Sequence, residues 1–407
     1  MKTATLAFIS SVVLAGSAFS NDSDRCAPGP WGNIKVSEIF LEAPESVIRL
    51  IPAPSRQTIW RFPRMDIEEV TSLFNSLSDD PLLHQEMRRE ILLQNFDDET
   101  RAFPSTKIIR ALPVAARISL YQVLSRFEEN PGHFHPIIID TEDIRAWFPL
   151  GRVPEEAISL IEELSFPLGD SLAFVDVPSL LPTVKTEREE IALRKALTRA
   201  RSLILDVQVS PGEDFDGLTD YWTQSNTALS AKPLLESFRH LTGNFTFDVA
   251  AVLPPLPRKH LNSFPAAEDG LTGSYPNNFW TAFNFFKISP DPRFVRRGVA
   301  EDDLAANYEE VKPPLQFGDI ISLRDPIRQQ LLHVCSYIAD DIAYTKNGKT
   351  VLTPWVFMRI KDIKTRYSFR KACEISYWRR INRANENAGQ LSHQDTNFER
   401  SIGSAFR

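Results

Sequence analysis

His333 and Cys335 lie two residues apart in Leu331-Leu332-His333-Val334-Cys335-Ser336-Tyr337-Ile338-Ala339, a run whose composition predicts a β-strand. An imidazole is suited to accept a proton near neutral pH and a thiolate is a strong nucleophile, so the two together suggest a base and a nucleophile. Strand geometry works against that pairing. Same-face neighbours are roughly 6.5 to 7 Å apart at their α-carbons, and a mid-strand thiol lacks the positive field of a helix start that would lower its pKa. Cys335 is thus an alternative nucleophile whose plainer reading is a buried structural cysteine. Past Asp340-Asp341, which reads as a hairpin turn rather than a calcium loop, Thr345 and Asn347 share one parity of the returning strand. Either could hold the imidazole ring.

These side chains need a scaffold. Upstream, apolar residues at 279, 282, 283 and 286 form one helical stripe, and Asn278 reads as the residue that opens and caps that helix. Pro314-Leu315-Gln316-Phe317-Gly318-Asp319 reads as a turn feeding the strand Ile320 to Leu323, and Pro354 to Met358 as a further strand. A helix followed by a small antiparallel sheet is implied.

In this order the residues resemble the papain-like cell-wall peptidases of the NlpC and CHAP kind: a helix start, Gly318-Asp319 before a strand, and His333 opening a strand that ends in Tyr337 to Asp341. The resemblance covers residues 265 to 375, and it implies a carboxy-terminal papain-like domain. In that family a cysteine at the helix start is the nucleophile, because the unpaired amides and the helix dipole there favour a thiolate. A strand histidine is the base, and a polar residue on the next strand orients it. By resemblance His333 takes the histidine position, Thr345 or Asn347 the orienting position, and Asn278 the nucleophile position. A carboxamide cannot attack a carbonyl, so the resemblance implies a degenerate member whose ligands are peptides, peptidoglycan fragments or acyl amides. The alternative is an active amidase, peptidase or acyl transferase that uses Cys335 or a His333-activated water. A third class is a purely structural envelope component.

Other clusters carry less. His133-Phe134-His135 with Asp140 resembles a metal pair but lacks a third ligand at a defined spacing. No cofactor is expected. The carboxylates Glu155, Glu156, Glu162, Glu163, Glu187, Glu189 and Glu190 fall on helix patterns, where a solvated face is the plainer reading. Trp280, Phe283, Phe285 and Phe286 have the helical spacing of core residues rather than of a ligand groove.

Met1 to Ser20 reads as a secretory signal, with Lys2 at its start, an apolar stretch from Leu6 to Ala15, and Ala18-Phe19-Ser20 at the cleavage point. A periplasmic or extracellular protein starting at Asn21 is expected, and loss of Lys2 takes the formal charge from −7 to −8. That acidic balance disfavours nucleic acid as a partner. No stretch reaches the roughly 20 apolar residues of a transmembrane helix. Cys26, Cys335 and Cys373 are too few for a disulfide scaffold and lack zinc spacings. With 43% apolar residues over 407 positions the chain can bury a large core.

The expected class is α+β throughout. Residues 21–255 form an α+β region, with strands at Val47 to Pro52, Thr58 to Phe62, Ile137 to Ile139, Ser171 to Val175 and Leu203 to Val209. Helices are expected at Met65 to Leu77, Pro81 to Asn95, Ser119 to Glu129, Pro154 to Leu164 and Glu187 to Arg199. The prolines of Leu253 to His260 suggest an irregular connector. The papain-like domain spans 260–378 and a polar tail 379–407.

Overall fold

The computed structural model describes residues 25–381 apart from 142, 149–150, 224–230, 242, 271–272 and 371. The expected signal at 1–20 and the tail from 382 onward lie outside the described residues. The strand β1 (Asn33–Leu41) alternates, burying Ile34 and Val36 between exposed Asn33 and Lys35. It pairs antiparallel with β8 (Ala200–Val209), in a register running from Asn33↔Gln208 to Leu41↔Ala200. The chain therefore leaves one sheet at Leu41 and re-enters the neighbouring strand at Ala200. Everything between is an insertion with its own core.

That core gathers Trp60, Phe62, Phe74, Tyr121, Trp147, Phe166 and Leu193. It is built on two three-stranded antiparallel sheets. One has the order β2-β4-β3, from β2 (Trp60–Pro63), β3 (Ile91–Phe96) and β4 (Glu99–Pro104). The other has the order β5-β7-β6, from β5 (Ile137–Ile139), β6 (Phe166–Leu168) and β7 (Ser171–Phe174). The helix Ile67–Ser76 starts in a capping box, Asp66 with Glu69, and buries Val70 and Phe74. Thr186 and Glu189 do the same for Glu187–Leu197.

The helix expected over Ser119 to Glu129 runs instead over Val114–Leu124, and two further expectations fail here. Val47 to Pro52 is not a strand: Glu45–Leu50 is helical, supported by a Glu45–Arg49 ion pair one turn apart, and Pro52 follows the extended Ile51. The helix expected over Pro81 to Asn95 stops at Glu90, because Ile91–Phe96 pairs with β4 along its whole length through a turn where Asp97 takes a φ of +38°. Long-range pairing overrides helical periodicity.

The main unit adds β9 (Phe245–Asp248) beside β8 and a six-stranded antiparallel sheet in the order β10-β15-β11-β12-β13-β14. Its strands are β10 (Tyr308–Val311), β11 (Ile320–Arg324), β12 (Leu331–Ala339), β13 (Ile342–Lys346), β14 (Trp355–Arg359) and β15 (Glu374–Arg380). Arg379 and Arg380, expected in the tail, are thus strand residues.

The connector expectation also fails. Pro255–His260 is a helix, because its prolines occupy the first turn, where a missing N–H costs nothing, and Arg258 N donates to Pro254 O at 3.0 Å. Nor does a boundary fall there. One continuous core joins Ile34, Leu205, Tyr221, Trp222 and Leu253 to Phe279, Phe283, Val334, Tyr344 and Trp355. The division that the cores show is the insertion against all the rest. The class is α+β, and no described helix is long and apolar enough to cross a membrane.

Candidate functional site

The helix Asn278–Phe283 lies across β12 and β13, with Phe279, Trp280, Phe283 and Phe285 packed among Val334, Ile338, Tyr344 and Trp355. Thr281 Oγ1 accepts from Trp355 Nε1 at 2.9 Å. The cap is Asn277 rather than Asn278: its Oδ1 accepts from Trp280 N at 3.0 Å and its Nδ2 donates to Val295 O at 2.8 Å. Asn278 is the first helical residue, buried, with Nδ2 unpartnered.

Gly318 takes a φ of +85°, and a Cβ there would lie 2.1 Å from Phe286 Cζ, so the turn before β11 requires glycine. The Asp319 carboxylate accepts from Gln316 N at 2.8 Å and pairs with Arg379 at 2.7 Å, which ties β11's start to β15. Gly318-Asp319 therefore has a complete structural explanation.

Leu323 pairs with His333 while Arg324 pairs with Leu331, which leaves a bulge at the start of β12. Beyond it the faces alternate. Val334 and Ile338 join the core under the Asn278 helix, whereas Cys335 and Tyr337 join Ile363 and Tyr367 of the helix Ile360–Ser368. His333 goes with the second set: its ring packs on Tyr367, centroids 4.4 Å apart and 32° between planes. Nε2 lies 2.9 Å from Thr345 Oγ1, and Nδ1 is buried without a partner. Both residues have no solvent exposure. Burial, with the Arg370 charge nearby, pushes the imidazole down to about 3, so it is neutral across the physiological range.

The stack continues outward. Arg370 lies 4.9 Å from the Tyr367 ring centre and 4.1 Å from that of Phe134, which belongs to the insertion. Phe369 stacks on Phe166 at 5.4 Å, Arg366 pairs with Asp140 at 3.4 Å, and Lys361 pairs with Asp170 at 2.8 Å. Arg201 at the re-entry point reaches Glu38, Asp140 and Asp362 together. The insertion thus closes the outer side of the helix whose inner side covers His333.

Of the residues singled out in the sequence, the structure joins His333 to Thr345. Asn347 turns to Met358, its Nδ2 being 3.3 Å from Sδ. Asn278, given the nucleophile position by the resemblance, does not face His333: its helix covers one face of the sheet and the imidazole lies buried on the other. Cys335 is fully buried with Sγ 3.9 Å from Ile321 O, and burial pushes its pKa up, which keeps it a neutral thiol and a poor nucleophile. Cys26, Cys335 and Cys373 are all free.

The other clusters are accounted for locally. His133 packs edge-on to Tyr121 at 5.0 Å, while Asp140 accepts from Ser171 and pairs with Arg366, so they do not form a metal pair. Glu155 and Glu162 pair with Arg145, Glu163 with Arg110, Glu187 with Arg49 and Glu190 with Arg194. Asp340 holds Ala27 N at 2.8 Å and Asp341 pairs with Arg359, as suits a turn.

Sequence reasoning missed Tyr367, Arg370 and Lys346. Lys346 is fully buried, donating from Nζ to Gly348 O and Thr350 O at 2.9 Å each, and desolvation pushes it down to about 7. Its parity, opposite to Thr345 and Asn347, already placed it on the face under the Asn278 helix.

No family model, no curated protein and no solved structure matches the chain.

Proposed function

We propose that this is an exported protein whose carboxy-terminal region is a degenerate papain-like domain, serving binding or structure at the cell envelope rather than catalysis. The observation that carries the reading is the His333–Thr345 pair: a base and its orienting partner at 2.9 Å, sealed from solvent, on the face of the sheet opposite the helix that Asn278 opens, so that no residue of the helix start faces the imidazole. A general base works best with a pKa near the operating pH and within reach of its substrate. This imidazole, near 3 and without exposure, meets neither condition. The sequential order of helix start, Gly318-Asp319 and His333 supports descent from the hydrolase arrangement. The signal-like pattern of Met1 to Ser20, Lys2 followed by an apolar stretch and small residues, supports the envelope as its place.

The test is hydrolysis of peptidoglycan fragments and acyl-amide peptides by the purified mature chain, beside equilibrium binding of the same fragments. Binding, or inertness toward all of them, without turnover is expected. Turnover that His333→Ala abolishes would overturn the reading.

A further inference from the structure

Strand β3 is the outer strand of its sheet, and its far edge pairs with no other strand among the described residues. Natural edges are usually blunted by a charge, a proline or a covering element. Ile91-Leu92-Leu93-Gln94-Asn95-Phe96 carries neither charge nor proline, and Leu92 is 57% exposed and Phe96 36%. Along it runs a groove of about 320 Å³ lined by Phe74, Met87, Arg88, Ile91, Leu92 and Leu93.

We propose that a second copy of this chain covers that edge, β3 against β3, antiparallel about a two-fold axis, making one six-stranded sheet from two three-stranded ones. The charge pattern selects this occupant. Exposed Arg88 and Arg89 end the helix that leads into β3, and exposed Asp97 and Asp98 form the turn that leaves it. Antiparallel self-pairing about an axis through Leu93 places Arg88 of each copy opposite Asp98 of the other and Arg89 opposite Asp97. Parallel pairing would set arginine against arginine. The Asp97 and Asp98 carboxylates have no ion-pair partner among the described residues, so they are free to serve. An interface of this kind is isologous, and the groove on each copy lies ready for apolar side chains of the other's strand.

Sedimentation velocity on the full mature chain, from nanomolar to high micromolar, reads the association directly. A monomer–dimer equilibrium is expected. Arg88→Glu with Arg89→Glu, and separately Asp97→Lys with Asp98→Lys, should each weaken it at least about tenfold, because each sets like charges together at both ends of the pairing. An equimolar mixture of the two variants should associate again, since every contact is then between opposite charges. Recovery in the mixture also shows that neither variant had lost its fold. A chain monomeric at every concentration, a dimer indifferent to both variants, or a mixture that stays monomeric would each overturn the proposal. So would binding of an extended peptide to β3 by a chain that never self-associates.

Discussion

Acid should destabilise this protein through its buried imidazoles, and His333 allows the effect to be isolated. His333 and His133 are pushed down to about 3 and His135 to about 4, burial being the first cause in each. Unfolded, each titrates at about 6.5. Between the folded and unfolded values the unfolded chain binds a proton that the folded chain refuses. The stability these neutral imidazoles hold is therefore fully present above about 6.5 and is lost as the pH falls toward their folded values. The slope approaches about 1.4 kcal/mol per pH unit for each histidine, so at a pH of about 4.5 His333 alone costs about 2.7 kcal/mol. Against a total stability of roughly 5–15 kcal/mol, that is a large share. His333→Gln keeps a group that can meet Thr345 and removes the titration. Urea unfolding followed by tryptophan fluorescence, with amide exchange reporting β12 separately, should show a shallower pH dependence in the variant by about 1.4 kcal/mol per unit between pH 6 and 4.5. Equal slopes, or a His333 resonance titrating near 6.5, would mean that the imidazole is open to water, and the argument against catalysis would fall with it.

Further outcomes follow from neighbouring contacts. Asn278→Cys should yield a thiol that gives no hydrolysis of peptide or acyl-amide fragments, since His333 is held by Thr345 on the face that also carries Cys335; turnover above wild type would contradict this. Lys346→Met should cost about 2–4 kcal/mol in chemical denaturation by leaving the Gly348 and Thr350 carbonyls without their donor. Asp140→Ala removes a nearly buried carboxylate shared by Arg201 and Arg366, and a loss of about 3 kcal/mol should accompany faster proteolysis between insertion and main unit. Cys335 should resist thiol reagents in the folded protein, as mass spectrometry of the labelled chain would show.

The hairpin from Leu331 to Lys346 and the helix at Asn278 were legible because their periodicities match their partners. β12 and β13 are almost wholly buried runs around a two-aspartate turn, and the helix is buried along its whole length. What escaped were features fixed by distant chain. Ile91–Phe96 carries a helix-compatible pattern and becomes a strand only because Glu99–Pro104 pairs with it. Pro254, Pro255 and Pro257 signal a break in any local reading, yet at a helix's first turn they are permitted. The insertion was invisible because nothing local says that Leu41 and Ala200 are neighbours. Alternation gave the face that His333 shares with Cys335, but not that the helix opened by Asn278 would cover the other one. The sealing of His333 depended on Tyr367 and Arg370, which carry no motif.

The register of β1 with β8 has a consequence for biogenesis. During synthesis β1 emerges with its hydrogen-bonding edge bare and must wait until residues 200–209 follow, while all of the second core but Phe369 is made in between. Order of appearance thus makes the interrupting unit the first to mature, and its two ends, held a single strand spacing apart, then present Leu41 and Ala200 to each other. Crossing a membrane as an unfolded thread would keep that sequence of events intact, because the same end arrives first on the far side.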